Sequence, residues 1–126
     1  MEKFLGRRSW AIPEGYIPAE SVDPDDPALL SHEAACLLNP SSSDAHVEIT
    51  IFFEDREPAG PYRILLGARR TKHLRFNDLK EPEVIPRGTP YASLIQSDIP
   101  IIVQHTRLDS RNPSIALLST IAFPLD

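Results

Sequence analysis

One cysteine, Cys36, is all that the chain carries. An intramolecular disulfide and a multi-cysteine zinc site are both excluded, and a reducing compartment, the cytoplasm, is the natural setting. Glycine is scarce as well. Five in 126 residues leave no material for a P-loop or a dinucleotide-binding fingerprint. No Gly-x-Ser-x-Gly elbow occurs, so a serine nucleophile has no local signature, and Cys36, set between Ala35 and Leu37, reads as a small buried hydrophobe. No run approaches the roughly 18 apolar residues that a membrane span needs. Residues 1–8 also lack an apolar core of signal-peptide length, which predicts a soluble chain. Positive charge is in deficit, with 13 Lys and Arg against 18 Asp and Glu, a net charge of −5 and a pI near 5.3. That balance disfavours a general nucleic-acid binder, whose affinity comes mostly from phosphate neutralisation.

What is present fits an ordinary globular domain. With 41% hydrophobic and 25% charged residues over 126 positions, residues 1–126 read as a single domain able to bury a core without staples. The 13 prolines fall mostly between apolar runs, the punctuation expected of short strands. A first strand is predicted at 10–12, ended by residues 13–15, and an exposed acidic loop at 19–27. Residues 31–39 have a local preference for helix, from the N-cap potential of Ser31 and the alanines and leucines that follow. Residues 45–54 alternate strictly: Ala45, Val47, Ile49, Ile51 and Phe53 against His46, Glu48, Thr50, Phe52 and Glu54, a strand with one buried face. Phe52 interrupts its polar side, an apolar position suited to a subunit contact.

A turn is predicted at 58–61, then a strand at 62–66 leading through Gly67, read as a bulge or corner, into 68–77. A long loop at 81–90 and a short element at 91–97 follow, and the chain closes with β-rich runs at 99–108 and 115–123. Strands separated by proline and glycine turns, without a long 3.6-residue pattern, predict an all-β antiparallel sandwich or barrel.

The stretch 68–77 concentrates cations in an acidic chain. In extended form Arg69, Thr71, His73, Arg75 and Asn77 share one face, while Leu74 and Phe76 assign the other to the core. Arginine forks and an amide suit a hydroxyl-rich or anionic ligand. The plainer alternative is pairing with Glu48, Glu54 or Asp55 on a neighbouring strand. The strand at 99–108 ends in Gln104, His105, Thr106 and Arg107, a second polar surface. Trp10 near Glu14 and Tyr16 reads either as a sugar-stacking platform or as a core anchor. The histidines 32, 46, 73 and 105 have no metal-site spacing, and His32 and Glu33 would face opposite sides of a strand.

Several blocks carry a resemblance. Gly6-Arg-Arg-Ser-Trp10-Ala-Ile-Pro-Glu-Gly15-Tyr-Ile-Pro18, Ser31-His-Glu33, His46-Val-Glu-Ile-Thr-Ile51, Gly60-Pro-Tyr-Arg63, Ala68-Arg-Arg-Thr-Lys-His73-Leu-Arg-Phe-Asn-Asp-Leu79, Gln104-His-Thr-Arg-Leu-Asp-Ser-Arg111 and Ala116-Leu-Leu-Ser-Thr-Ile-Ala122 together resemble the sensory rhodopsin transducer family. The resemblance implies a small, jelly-roll-like β-sandwich that forms a homotetramer, serves in some members as the cytoplasmic transducer of a membrane rhodopsin, and binds a sugar or related metabolite. It also implies that residues 31–39 form a strand. DNA binding has been suggested for such proteins, and no catalytic motif of the family maps here. The combined reading is a non-enzymatic sensor without metal or cofactor. Its polar site would be Arg69, His73, Arg75, Asn77, His105 and Arg107, with Trp10 and Glu33 as secondary members. The alternatives are a carbohydrate-active or metal-dependent β-sandwich enzyme and a salt-sensitive DNA-binding regulator.

Overall fold

A single 19-residue strand, Tyr91–Asp109, runs through both layers of the protein. The computed structural model describes residues 3–126; Met1 and Glu2, which open the N-terminal run considered above, lie outside them. In chain order the strands are β1 (Arg7–Gly15), β2 (His32–Asn39), β3 (Ala45–Phe52), β4 (Ala59–Leu66), β5 (Arg70–Arg75), β6 (Tyr91–Asp109), β7 (Ala116–Ile121) and β8 (Phe123–Pro124). A short 3-10 turn, Phe76–Asp78, follows β5. Every pairing is antiparallel. The first half of β6 pairs with β1 and β3, in a layer ordered β4-β3-β6-β1-β8. Its second half pairs with β2 and β7, in a layer ordered β5-β2-β6-β7. The fold is the antiparallel β-sandwich that the strand punctuation predicts.

Residues 91–97 and 99–108 are thus one strand, not two elements. Pro100, which lacks an amide donor, stands in none of the paired positions, because it marks the changeover from one layer to the other. The local helical preference of 31–39 also gives way. β2 is paired on both sides, to β5 and to β6, and its inward Glu33, Ala35, Leu37 and Asn39 are all buried, so tertiary pairing outweighs propensity. Residues 59–61 belong to β4 rather than to a turn. Gly60 has φ +127°, and a Cβ there would stand 2.8 Å from the Ile49 carbonyl oxygen at the register shift between β3 and β4, a position that only glycine fills without strain. β1 is longer than expected and passes through Pro13 by a second register shift, between Ile12 and Gly15. Gly67 lies between β4 and β5, at a corner rather than a bulge, the second of the two readings.

The core follows the alternation. Ala45, Val47, Ile49 and Ile51 of β3 are buried against Tyr62 and Leu66 of β4, Ile95, Ile101 and Val103 of β6, and Leu37 of β2. Each such aliphatic or aromatic side chain removed from water contributes about 1.5–3 kcal/mol. Leu74 and Phe76 join this core, as the alternation through 68–77 requires.

Candidate ligand groove and the buried carboxylate behind it

The outward face of the second layer carries two cross-strand rows. One runs Arg75, Ala34, Thr106, Ser119 from β5 to β7, and the next runs His73, Cys36, Gln104, Ile121. Small residues, Ala34 and Cys36, occupy the middle strand, while longer ones stand on both flanks. The result is an open groove of about 420 Å³ lined by His32, Ala34, Cys36, His73, Arg75, Gln104, Thr106 and Ser119. One wall is already organised. Gln104 Nε2 donates to Ser119 Oγ at 2.7 Å, and Thr106 Oγ1 lies 3.3 Å from the same hydroxyl. On the other wall Arg75 donates one guanidinium N–H to the Pro27 carbonyl at 3.0 Å. That tether fixes the side chain and leaves other donors of the fork over. His32 holds the Leu30 carbonyl through Nδ1 at 2.7 Å, so that nitrogen carries the proton. Amide, hydroxyl, imidazole and guanidinium groups around a floor of small side chains suit a neutral or anionic polyol. Among the described residues no carboxylate lines this groove.

The inward face of the same strands holds a different constellation. The Glu33 side chain is fully buried, with Oε2 accepting from Arg107 Nε at 2.9 Å and from His105 Nε2 at 3.0 Å. Its Oε1 accepts the Tyr16 backbone N–H at 2.9 Å and the Tyr91 hydroxyl at 3.5 Å. A carboxylate without water needs such a set of donors, since an unpaired buried charge is strongly destabilising. Burial pushes the Tyr91 hydroxyl far up, and the Glu33 charge adds to it. For Arg107 burial works to lower the pKa, but the Glu33 hydrogen bond and charge outweigh it and the guanidinium is held above its ordinary range. Asn77 sets the backbone here: its Oδ1 accepts the Glu33 N–H at 3.2 Å and its Nδ2 donates to the Ser31 carbonyl at 3.0 Å.

Residues 5–124 match the family model described as Anabaena sensory rhodopsin transducer. The chain belongs to that family. One solved structure, described as Anabaena sensory rhodopsin transducer, is 53% identical, with a TM-score of 0.71, and the match covers 83% of this chain and all of that one. Another, described as the crystal structure of Thermotoga maritima 1070, is 32% identical with a TM-score of 0.84, over 95% of this chain and 96% of that one. Among curated proteins none matches. Membership of the transducer family supports a role in signal transduction. No helix among the described residues is long and apolar enough to cross a membrane.

In this transducer-family chain the residues that the sequence marks for a polar site fall into separate places. His73 and Arg75 line the outward groove. His105, Arg107 and Glu33 form the inward cluster. Strand alternation separates the two sets, because odd-numbered residues of β6 point inward while Gln104 and Thr106 point outward. Asn77 leaves the alternation with the 3-10 turn and braces the Glu33 backbone. Arg69 sits in the turn before β5 with φ 54°, its N–H on the Ser41 carbonyl. Trp10 is buried in the core and donates its indole N–H to the Arg7 carbonyl at 3.0 Å. None of Arg69, His73 and Arg75 forms an ion pair with Glu48, Glu54 or Asp55; Glu48 faces Arg63 instead, at 3.4 Å. Cys36 is half-buried on the groove floor rather than inside the core. Sequence reasoning missed His32, Ala34, Cys36 and Ser119 as groove residues. The signal for His32, Ala34 and Cys36 was the outward phase of β2, which the local helical preference of 31–39 obscures; Ser119, on β7, joins them only through the β6–β7 pairing.

Proposed function

We propose that this protein is a non-enzymatic cytoplasmic transducer that binds a small polar ligand, a sugar or related metabolite, in the outward groove of His32, His73, Arg75, Gln104, Thr106 and Ser119. It relays occupancy to a protein partner, with a sensory rhodopsin the partner that the family name suggests. The observation that carries this reading is the groove itself. Directed donors and acceptors converge over Ala34 and Cys36, and the lining contains no carboxylate pair of the kind a glycosidase uses.

The groove and the Glu33 cluster occupy opposite faces of β2 and β6, so a ligand that adjusts the spacing of those strands acts on both. Such a ligand shifts the protein between states only by as much as its affinity for them differs. The working form is a homotetramer, supported by Phe52 and Leu65, which leave apolar surface on the outward side of β3 and β4 at 41% and 56% exposure.

The test is a thermal-shift screen of sugars, sugar acids and nucleotides, because a ligand that binds only the native state raises stability with the logarithm of its concentration. A polyol is expected to raise the melting temperature of the unmodified protein and not that of His73→Ala or Arg75→Ala. If no compound acts at millimolar concentration, the ligand reading fails. A DNA-binding regulator would instead show affinity that falls steeply with salt.

A further inference from the structure

Between β1 and β7 the two layers part, and the gap closes on a histidine. The cavity there has a volume of about 140 Å³ and is walled by Ile12 and Pro13 on one side and by Leu118, Ala122 and Phe123 on the other. It is distinct from the outward groove, with which it shares no lining residue. His105 lines it from β6 with a side chain only 7% exposed. The imidazole has one nitrogen committed: Nε2 lies 3.0 Å from Glu33 Oε2, an acceptor, so Nε2 carries the proton. The other, Nδ1, is then an acceptor with no hydrogen bond among the described residues; it is not one of the fully buried unpaired atoms, which are Ser93 Oγ and Ser97 Oγ, so it opens to the cavity that the ring lines. Thr120, paired with His105 across the β6–β7 ladder, adds a hydroxyl to the same wall. Glu14, its side chain 85% exposed, places a carboxylate at the rim.

An acceptor that opens into an otherwise apolar cavity is completed by a donor on the molecule that fills it. We propose that this cavity is a binding site for a small uncharged molecule with an apolar body about the size of one six-membered ring and a single hydroxyl or N–H, the donor resting on His105 Nδ1. The volume sets the size, since an apolar cavity of about 150 Å³ accommodates benzene. The aliphatic and aromatic walls exclude a sugar, most of whose hydroxyls would lose their partners there. The Glu14 carboxylate and the lone pair of Nδ1 both oppose an anion. One donor aimed at one acceptor within an otherwise apolar pocket is the usual way such sites fix orientation.

The test uses the full chain and phenol as the probe, with benzene and benzoate as controls, followed by two-dimensional NMR of the four histidine rings. Phenol is expected to shift the His105 ring signals saturably, with an affinity at least about tenfold above that of benzene, the worth of one net hydrogen bond. Benzoate is expected not to bind. Leu118→Trp, which fills the cavity from a half-exposed wall position, is expected to abolish the phenol response while the His105 signals still report a folded protein. His73→Ala is expected to leave that response intact, so failure of this site and failure of the groove reading are separable. The proposal is overturned if phenol gives no saturable shift, if benzene binds as well as phenol, or if Leu118→Trp has no effect. It is equally overturned if the His105 signals answer to protein dilution and not to phenol, because a second copy of the chain then fills the cavity.

Discussion

Arg107 reaches into the sandwich to the Glu33 carboxylate, its Nε 2.9 Å from an oxygen that no solvent touches. The Arg107 side chain remains 18% exposed, so it joins a fully buried group to the edge of the interior. His105, Tyr16 and Tyr91 occupy the remaining sites on the two carboxylate oxygens. Removing one partner from such a network costs more than the network's net worth, because the other charge stays behind without compensation. Arg107→Ala is therefore expected to destabilise the protein by about 3–5 kcal/mol, read from urea denaturation. Glu33→Gln, which keeps an acceptor for the Tyr16 N–H, is expected to cost less. A cost for Arg107→Ala below that of a typical surface substitution would show that the carboxylate finds another partner.

The basic strand tests the separation of ligand face from core face. Phe76 is 1% exposed and its ring meets that of Tyr91 edge-on at 5.8 Å. Phe76→Ala is expected to cost about 3–5 kcal/mol. His73, on the outward face and exposed, is expected to tolerate alanine within about 0.5 kcal/mol while losing the ligand-dependent rise in melting temperature. Equal stability losses at the two positions would contradict the alternation.

The architecture was readable in the sequence wherever a strand has one wet face and one dry one. Val47, Ile49 and Ile51 against His46 and Glu48 give β3 at once. Reading failed where a residue's surroundings are supplied from far along the chain. Cys36, Leu37 and Leu38 look helical alone, but partners in both β5 and β6 take up their backbone groups. Residues 91–97 and 99–108 look like two elements because their continuity depends on a change of layer that only the folded chain contains. The polar site was half legible: residue types near 73–75 and 104–107 were marked, while their division between two faces waited on the phase and pairing of β2 and β6. The bracing role of Asn77 had no sequence signal, since it arises from a 3-10 turn meeting a strand more than forty residues away in the chain.

The groove floor makes a sharper test than its walls. Cys36 lies at the centre of the lining, on a strand paired on both sides. Cys36→Phe places a ring where a polyol would rest, and an aromatic residue suits a strand. Stability is expected to change by about 0.5 kcal/mol or less, with thermal-shift responses to every polar ligand abolished. Retention of those responses would move the site elsewhere.

Acid sensitivity follows from the carboxylates. Arg111 donates Nε and Nη2 to both oxygens of Asp109, at 2.6 to 3.1 Å, and holds that carboxyl below its ordinary range. A depressed folded value means that the charged form favours the native state. The contribution is fully present above the unfolded pKa of about 3.9 and is lost as the pH falls through the lower folded value. Asp126 is lowered in the same direction, first through the Ser9 backbone N–H. For Asp98, burial opposes the shift but the His46 hydrogen bonds prevail. Denaturation midpoints are expected to drop between about pH 4 and pH 2. Asp109→Asn is expected to flatten part of that limb and leave the rest to the other two carboxylates. An unchanged acid limb would mean that the Arg111 fork does not persist in solution.

Gly15 closes the end of β1 over the buried cluster. A Cβ at this position would lie 2.4 Å from Cε2 of Tyr91, a contact that real side chains do not make. The Tyr91 ring is itself buried, stacked edge-on against Phe76, with its hydroxyl toward Glu33. It cannot swing aside without disturbing both. Gly15→Ala is therefore expected to destabilise the protein by about 1–3 kcal/mol through overpacking, although alanine is otherwise the better residue in an ordered backbone. Tyr91→Phe separates the two contributions. Loss of a 3.5 Å hydrogen bond is expected to cost about 1 kcal/mol or less, so the ring's position rather than its hydroxyl accounts for the glycine. In the double variant Gly15→Ala with Tyr91→Leu, the smaller side chain relieves the clash. The cost of Gly15→Ala is then expected to shrink relative to its cost beside tyrosine, by a coupling of about 0.5–3 kcal/mol. Strict additivity of the two substitutions would place the glycine requirement in the backbone of β1 and not in the ring packed upon it.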